Sequence, residues 1–244
     1  MDGSGVRLAV WSGPRSISTA LMRSWENRTD SMVVDEPFYA HYLAATGVDH
    51  PGREDVITAG DTDWRRVVAA LTAPLPNGVA VFYQKHMAHH LTPDIERGWI
   101  ALLTNVLLIR DPSHVVASYL RSRDEVSSAD LGIHQQVYLY DELCQVDRAP
   151  WVIDSADFLT RPGDYLEALC GATGLEFEPG MLSWPAGPRD TDGVWAPHWY
   201  DAVTRSTGFG AYEPHAVHLT GPAADVAAEC RPGYDRLRAV RWVP

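Results

Sequence analysis

The feature that most constrains the fold is a series of short apolar runs, each followed by a segment long enough for a helix. The runs cover residues 7–12, 32–35, 79–84, 105–109 and 151–154. Runs of this length with helix-length segments between them are typical of buried strands in a parallel sheet. The sequence therefore predicts one α/β domain over residues 1–244, with a central parallel sheet of about five strands flanked by helices.

Length and charge limit what the chain can bind. Its 244 residues, of which 45% are apolar, suffice for one well-formed core. The 20 basic and 32 acidic side chains give a formal net charge of -12. That charge repels nucleic acids and anionic membranes at long range, so we expect neither as a partner. A small anionic ligand is still allowed, because a few cations and backbone amides can hold a phosphate inside an acidic protein.

Cysteine usage and the first residues indicate the compartment. Cys144, Cys170 and Cys230 are odd in number and lack C-x-x-C spacing, so they predict neither a disulfide framework nor a zinc site. The apolar run near the start is interrupted at Gly13 and Pro14, well before the length of a signal peptide or a membrane span. We therefore expect a cytoplasmic protein without a metal site, and the oligomeric state is left open.

The loop after the first predicted strand is suited to binding a phosphate. Its residues are Gly13, Pro14, Arg15, Ser16, Ile17, Ser18 and Thr19. Ligands of open parallel sheets bind beyond the carboxyl ends of the strands, where a following helix offers free N–H groups. Hydroxyl groups and the Arg15 guanidinium add further anion ligands. We expect Ser18 or Thr19 to cap this helix.

The same loop does not meet the nucleotide-hydrolase pattern G-x-x-x-x-G-K-[ST]. Ser18 stands where the second Gly of that pattern would be, and Thr19 stands where its Lys would be. An ATPase function is therefore disfavoured.

A second junction of strand and helix follows the fourth predicted strand. Asp111 is a natural N-cap, and Pro112 suits the first position of a helix. Arg110 stands at the strand end, and Ser118 follows it by eight residues inside the predicted helix.

Together the two junctions resemble the sulfotransferases that use 3′-phosphoadenosine 5′-phosphosulfate (PAPS). In that family a P-[KR]-S-x-[ST]-T loop holds the 5′-phosphosulfate, and an Arg and a Ser eight residues apart hold the 3′-phosphate. The resemblance implies a P-loop-type fold and places Arg15, Ser16, Ser18 and Thr19 on the 5′ side, with Arg110 and Ser118 on the 3′ side. It also implies PAPS as co-substrate, adenosine 3′,5′-bisphosphate as product, no metal, and a hydroxyl or amine of a small molecule as acceptor.

Further likeness concerns the cations at the reacting group. The segment 81–86 resembles the family's strand that ends in Lys, and the likeness as a whole spans residues 7–175. It implies that Lys85 and Arg15 neutralise the charge that develops as the bond to sulfur breaks.

The general base is open between two residues. Glu36, after the second predicted strand, is the first candidate, and its alternative role is a salt bridge to a nearby cation. His86 is the second candidate, although family members have the His one residue later, where Met87 stands. We expect His89 and His90 to be solvated or to line the acceptor site.

The segment 187–214 has no sustained period, which predicts an ordered loop or lid. The family's late R-K-G-x-x-G loop is absent, and Arg205 with Gly208 lies in the basic, glycine-containing stretch that could replace it. The aromatic residues of this region could line an acceptor pocket or serve as packing anchors; they are Trp195, Trp199, Tyr200 and Phe209. A last helix is predicted over residues 223–229.

Two alternative functions stay open. A nucleotide-dependent P-loop kinase on the same scaffold would need a carboxylate for Mg²⁺ and a lysine in the loop. A non-catalytic nucleotide-binding module would keep the pocket without turnover, which the missing His at position 87 favours.

Overall fold

The structure is a computed structural model that describes residues 5–244. The strands are β1 (Val6–Ser12), β2 (Ser31–Asp35), β3 (Val81–Met87), β4 (Thr104–Ile109) and β5 (Trp151–Asp154). They form one five-stranded sheet in the order β2-β3-β1-β4-β5, and every neighbouring pair is parallel. The predicted α/β fold with a central parallel sheet is thus confirmed.

Helices surround this sheet. They are α1 (Ser18–Glu26), α2 (Tyr39–Thr46), α3 (Arg53–Ala59), α4 (Trp64–Thr72), α5 (Pro112–Tyr119), α6 (Ser128–Leu131), α7 (Ile133–Gln145), α8 (Ser155–Thr160), α9 (Pro162–Thr173), α10 (Ala196–Trp199), α11 (Asp201–Thr204) and α12 (Gly221–Ala239). Short 3₁₀ turns cover Ala88–His90, Gly98–Leu102 and Pro179–Leu182. Among the helices of residues 5–244, none has the length and apolar character that a bilayer crossing requires.

The core lies on both faces of the sheet. In β1, Ala9 and Trp11 pack on one face with residues of α4, α5, α7 and α12. Leu8 and Val10 pack on the other face with residues of α1, α8 and α9. Successive side chains of a strand point to opposite faces, so a sheet covered on both sides makes its central strands apolar throughout.

Strand β3 differs most from its predicted boundaries. The predicted run was 79–84, but the strand begins at Val81 and continues to Met87. Its last residues pair with the end of β1, and Lys85 and His86 are buried there. Polar residue types hid this part of the strand because the prediction relied on apolar runs.

Helix α12 is longer than predicted. It runs over 19 residues from Gly221 to Ala239, with Pro232 inside it, whereas the prediction covered residues 223–229. Proline removes one helical hydrogen bond, yet Cys230, Tyr234 and Leu237 on either side of it are buried in the core. Tertiary packing therefore maintains a helix that the local sequence would interrupt.

The two predicted helix caps have different outcomes. Asp111 caps α5 as predicted, because its carboxylate accepts a 2.9 Å hydrogen bond from the Ser113 N–H. The predicted cap of α1 by Ser18 or Thr19 is wrong. Ile17 occupies the N-cap with a φ of 62° and no side-chain cap is present, because the preceding loop has left-handed residues.

The loop after β1 packs against the turn at the end of α6. A Cβ atom at Gly13 would lie 2.2 Å from the backbone oxygen of Leu131, so no side chain fits there. This contact gives Gly13 a structural reason to be glycine, independent of any ligand.

We predict that Gly13→Ala lowers the free energy of unfolding by about 1–3 kcal/mol, because backbone must move to make room for the methyl group. Urea denaturation would measure the change. Gly171→Ala in α9 is the matched control, since a Cβ there meets nothing within 4 Å. That variant should be as stable as the wild type or more so. Equal stability of Gly13→Ala and the wild type would contradict the packing argument.

Candidate active site

A cavity of about 370 Å³ lies where the strands end and α1 begins. Its walls come from the loop after β1, the ends of β2 and β3, the turn 88–90 and the segment 199–210. Ligands of parallel α/β sheets bind at this edge. Two groups of charged side chains line the cavity, one built around Ser118 and one around Lys85.

The loop after β1 forms a concave stretch of backbone. Arg15 and Ile17 have left-handed φ values of 57° and 62°, and Ser16 between them does not. Such alternation directs successive N–H groups to one side and makes an anion-binding nest. Each strained residue costs about 1–3 kcal/mol, which is tolerated where surrounding contacts hold the loop. Here the Arg110 guanidinium donates to the Arg15 carbonyl.

Helix α1 begins at the floor of this nest. Its first N–H groups, from Ser18 to Ala20, donate no hydrogen bond within residues 5–244. Free N–H groups at a helix start carry a partial positive charge and favour an anion. The structure thus brings Pro14, Arg15, Ser16, Ile17, Ser18 and Thr19 to the cavity wall.

Arg15 and Arg121 contact Ser118, and Arg110 contacts the Arg15 carbonyl; these three arginines form the arginine cluster. The Ser118 hydroxyl accepts from Arg15 Nε at 3.0 Å and from Arg121 Nη2 at 2.8 Å. Within residues 5–244, none of the three guanidinium groups has a carboxylate within 4 Å. All three, with Ser118, line the cavity.

The arginine cluster is electrostatically unbalanced. Burial, followed by the charge of Arg121, lowers the pKa of Arg15. Burial lowers the pKa of Arg110 as well, with the charges of Arg121 and Arg15 adding to it. Partly buried like charges without a counter-ion are costly, so an anion placed among them would be strongly favoured.

Arg15 extends beyond its own loop. We expected its side chain on the 5′ side, but its guanidinium lies beside Ser118, the residue expected on the 3′ side. It also donates to the carbonyl of Trp199 at 3.3 Å, 184 residues away in sequence. The side chain therefore connects the loop after β1 to the end of α10.

The second charged group is the lysine cluster, formed by Lys85, Asp35, Glu36 and Tyr200. Lys85 Nζ donates to Asp35 Oδ1 at 2.7 Å, to Glu36 Oε1 at 2.6 Å and to the Tyr200 hydroxyl at 2.7 Å. Lys85 is 1% exposed. Burial alone would lower its pKa, but the two carboxylates outweigh burial and raise the pKa, so the ammonium stays charged.

Glu36 occupies a turn directly after β2. Its φ is 42°, and its N–H donates to the Lys85 carbonyl at 2.9 Å. Its side chain forms the salt bridge that was the alternative to a catalytic role, and it also lines the cavity. Burial raises the pKa of Glu36, while the charge of Lys85 acts in the opposite direction.

His86, the second candidate for the general base, does not line the cavity. Residues 85 and 87 of β3 line the cavity, and residue 86 points to the other face because strand side chains alternate. Its ring stacks on Trp11 with centroids 3.9 Å apart. Burial and the charge of Lys85 lower the pKa of His86 to about 3.

The other residues predicted to bind the donor differ in whether they line the cavity. Arg205 is exposed, pairs with Asp201 and does not line the cavity. Gly208 does line it, and forms a bridge with Ser183. Gly13 is absent from the described wall and packs on Leu131 instead.

His89 and His90 line the cavity; His90 is buried and His89 is half-buried. The His90 ring stacks on Tyr39 with centroids 4.6 Å apart. Burial, with the nearby His50, lowers the pKa of His89 to about 4, and burial lowers that of His90 well below its ordinary value. This part of the wall is therefore aromatic and uncharged at neutral pH.

The segment 187–214 has two short helices, α10 and α11, and supplies part of the wall. Trp199 and Tyr200 line the cavity, and Trp195 lies behind Tyr200 and donates to its hydroxyl at 3.1 Å. Phe209 instead packs against Phe158 with centroids 5.0 Å apart. Of the four aromatics singled out in the sequence, two therefore face the cavity.

Sequence reasoning missed Arg121 and Asp35. Arg121 follows Ser118 by three residues, a spacing that places side chains on one side of a helix and could have indicated it. Asp35 ends an apolar run and carried no signal, since its partner Lys85 is 50 residues away.

Comparisons with known proteins agree with this geometry. The family model described as a sulfotransferase domain matches residues 6–239. Two curated proteins of Arabidopsis thaliana are similar: branched-chain-amino-acid aminotransferase-like protein 2 is 32% identical over 229 residues, and protein 1 is 35% identical over 232 residues. Each alignment covers 94% of this chain but 41% of the relative, so the chain spans about two fifths of their length.

A solved structure is similar in fold. The sulfotransferase domain from the curacin biosynthetic pathway superposes with a TM-score of 0.59 at 17% identity, and the match covers 98% of this chain and 99% of that one. The fold that the resemblance implies is thereby confirmed. Because the family model matches nearly its whole length, this chain belongs to the sulfotransferase family.

Proposed function

We propose that the protein transfers the sulfuryl group of PAPS to a hydroxyl or amine of a small-molecule acceptor by direct in-line displacement. The observation that carries the proposal is the arginine cluster, which has no carboxylate partner within residues 5–244 although the lysine cluster nearby in the cavity wall has two. A cavity with an unmatched positive end suits a ligand with several anionic groups.

The residues divide between the two anionic ends of the donor. Arg110, Ser118 and Arg121 would hold the 3′-phosphate, so Arg121 takes the part that the sequence suggested for Arg205. The loop from Pro14 to Thr19 and the start of α1 would hold the 5′-phosphosulfate. Arg15 contributes its backbone to the loop and its guanidinium to the Ser118 side.

The lysine cluster would carry the chemistry. PAPS supplies an activated sulfuryl group and leaves as adenosine 3′,5′-bisphosphate. The Lys85 ammonium and the N–H groups of α1 stabilise the negative charge of that leaving group. Glu36 accepts the proton of the acceptor, and the raised pKa that burial gives its carboxylate suits a base working near neutral pH. The proposal includes no metal ion.

The uncharged part of the wall would receive the acceptor. Tyr39, Met87, His89 and His90 line the cavity beside Glu36.

We propose that residues 1–244 act as one catalytic domain. The free thiols of Cys144, Cys170 and Cys230 support a reducing compartment such as the cytoplasm.

We expect Arg121→Ala to weaken binding of adenosine 3′,5′-bisphosphate about tenfold, because a hydrogen bond to a charged group contributes about 1.5–3 kcal/mol and the exposure of Arg121 favours the lower value. Isothermal titration would measure the affinity. Arg205→Ala is the matched control and should bind within about twofold of the wild type. If Arg121→Ala bound as tightly as that control, Arg121 would have no part in the donor site.

We expect Glu36→Gln to lower turnover about 10²- to 10⁴-fold while the bisphosphate affinity stays within a fewfold of the wild type. Sulfur-labelled PAPS with a library of hydroxyl- and amine-bearing metabolites gives the turnover. Wild-type activity should rise with pH through the raised pKa of Glu36, since the base works only when deprotonated, and this acidic limb should be absent in Glu36→Gln.

Other results would favour the alternatives. A similar loss in His86→Gln with full activity in Glu36→Gln would assign the base to His86. Bisphosphate binding without turnover on any metabolite would indicate a binding module, and tighter binding of ATP with Mg²⁺ would indicate a kinase.

A further inference from the structure

The lysine cluster holds two carboxylates that are adjacent in sequence and share one ammonium group. Asp35 and Glu36 both accept from Lys85 Nζ, at 2.7 and 2.6 Å. We propose that Tyr200 is a positioning residue that donates its O–H to Asp35 and thereby leaves Glu36 as the carboxylate of the pair that takes up a proton. The inference deepens the proposed function and rests on it for its catalytic meaning.

The hydrogen bonds of Tyr200 allow only one arrangement. A phenol has one O–H to donate and two lone pairs to accept with. The Tyr200 oxygen accepts from Lys85 Nζ at 2.7 Å and from Trp195 Nε1 at 3.1 Å. Its single hydrogen is left for a carboxylate, and Asp35 Oδ2 lies at 2.6 Å whereas Glu36 Oε1 lies at 3.4 Å. The O–H therefore belongs to Asp35.

The two carboxylates consequently differ in how well they are satisfied. Asp35 accepts from Lys85 through Oδ1, and from Tyr200 and the Gly193 N–H (3.5 Å) through Oδ2. Glu36 accepts from Lys85 through Oε1, but its Oε2 is 4.0 Å from His90 Nδ1, too far for a hydrogen bond. Hydrogen bonds to a carboxylate favour its charged form, and Glu36 has fewer of them, so Glu36 is the carboxylate on which a proton is better accommodated.

Position in the cavity wall agrees with this division. Glu36 lines the cavity, while Asp35 is buried behind it. When two carboxylates lie together and one is stabilised as the anion, the proton goes to the other. The carboxylate that changes its charge is therefore also the one that an acceptor can reach.

The titratable groups that face Glu36 do not change which carboxylate takes up the proton. They are Lys85, Asp35, Tyr39, Tyr200 and His90. Burial raises the pKa of Tyr39 and of Tyr200 and lowers that of His90, so these three are neutral near pH 7. One cation thus faces two carboxylates, and protonation of Glu36 makes the cluster neutral.

The matched control lies elsewhere in the same chain. The hydroxyl of Tyr234 in α12 donates to Asp154 Oδ2 at 2.6 Å, the same chemistry and length as the bond from Tyr200 to Asp35. Neither Tyr234 nor Asp154 lines the cavity. Tyr234→Phe therefore removes an equal hydrogen bond without touching the lysine cluster.

The experiment is an NMR titration of ¹³C-carboxyl-labelled Asp and Glu in the full chain without ligand, with Asp35→Asn and Glu36→Gln assigning the two signals. In the wild type we expect the Glu36 signal to titrate above the ordinary range of a glutamate, because burial raises its pKa. In Tyr200→Phe the Glu36 signal should move down by about one pH unit, because without the Tyr200 O–H the two carboxylates become more alike and share the proton. Tyr234→Phe should leave both signals unmoved.

Opposite results would overturn the inference. It fails if the Glu36 signal of the wild type titrates in the ordinary range of an exposed glutamate, a measurement that does not depend on Tyr200→Phe folding. It also fails if Tyr200→Phe moves neither signal, or if Tyr234→Phe moves them equally.

The titration and the proposed function can fail separately. If adenosine 3′,5′-bisphosphate does not bind while the signals behave as expected, the proposed function falls and the role of Tyr200 in the cluster stands. If the bisphosphate binds but the carboxyl signals do not behave as expected, only the inference about Tyr200 fails. With an active acceptor, Tyr200→Phe should lower kcat and leave the KM for PAPS within about twofold, because its hydroxyl contacts the cluster and no residue of the proposed 3′-phosphate site.

Discussion

Burial of the Lys85 ammonium is the interaction on which the site depends. A charge with 1% exposure is tolerable only when its hydrogens are satisfied by anionic or polar partners. Those partners come from the end of β2 and from the segment between α10 and α11, so one ammonium ties three parts of the chain together. Removing one partner of such a buried ion pair lowers the free energy of unfolding by about 3–5 kcal/mol. The same contacts therefore build the site and stabilise the local fold.

Charged side chains are distributed unevenly along the cavity wall, and the net charge of the chain does not show this. Around Ser118 three guanidinium groups lie without carboxylate partners within residues 5–244, while a few side chains away the ammonium is matched by two carboxylates. An acidic protein can therefore attract a multiply charged anion into one end of a cavity and keep the other end close to neutral. The low dielectric of the interior strengthens both effects.

Sequence alone could predict the sheet and the two junctions because each is encoded locally. Apolar runs mark the strands, and the pattern Asp111-Pro112 marks the start of α5. The end of β3 was hidden because its buried residues are polar, and only the period of two along a strand could have shown that Lys85 and His86 face opposite sides. The contact of Arg15 with Trp199 joins residues 184 apart, and no local pattern encodes it. The catalytic and binding roles of these residues remain predictions.

That contact has a consequence for how the chain can vary. Trp199 meets Arg15 through its carbonyl, and the next residue, Tyr200, meets Lys85 through its hydroxyl. The peptide unit between residues 199 and 200, with about 3.8 Å between its Cα atoms, thus connects the two clusters together with the Tyr200 side chain. A residue inserted here would break either the contact with Arg15 or the contact with Lys85. The length of this stretch is therefore fixed, even at positions where the side chain can vary.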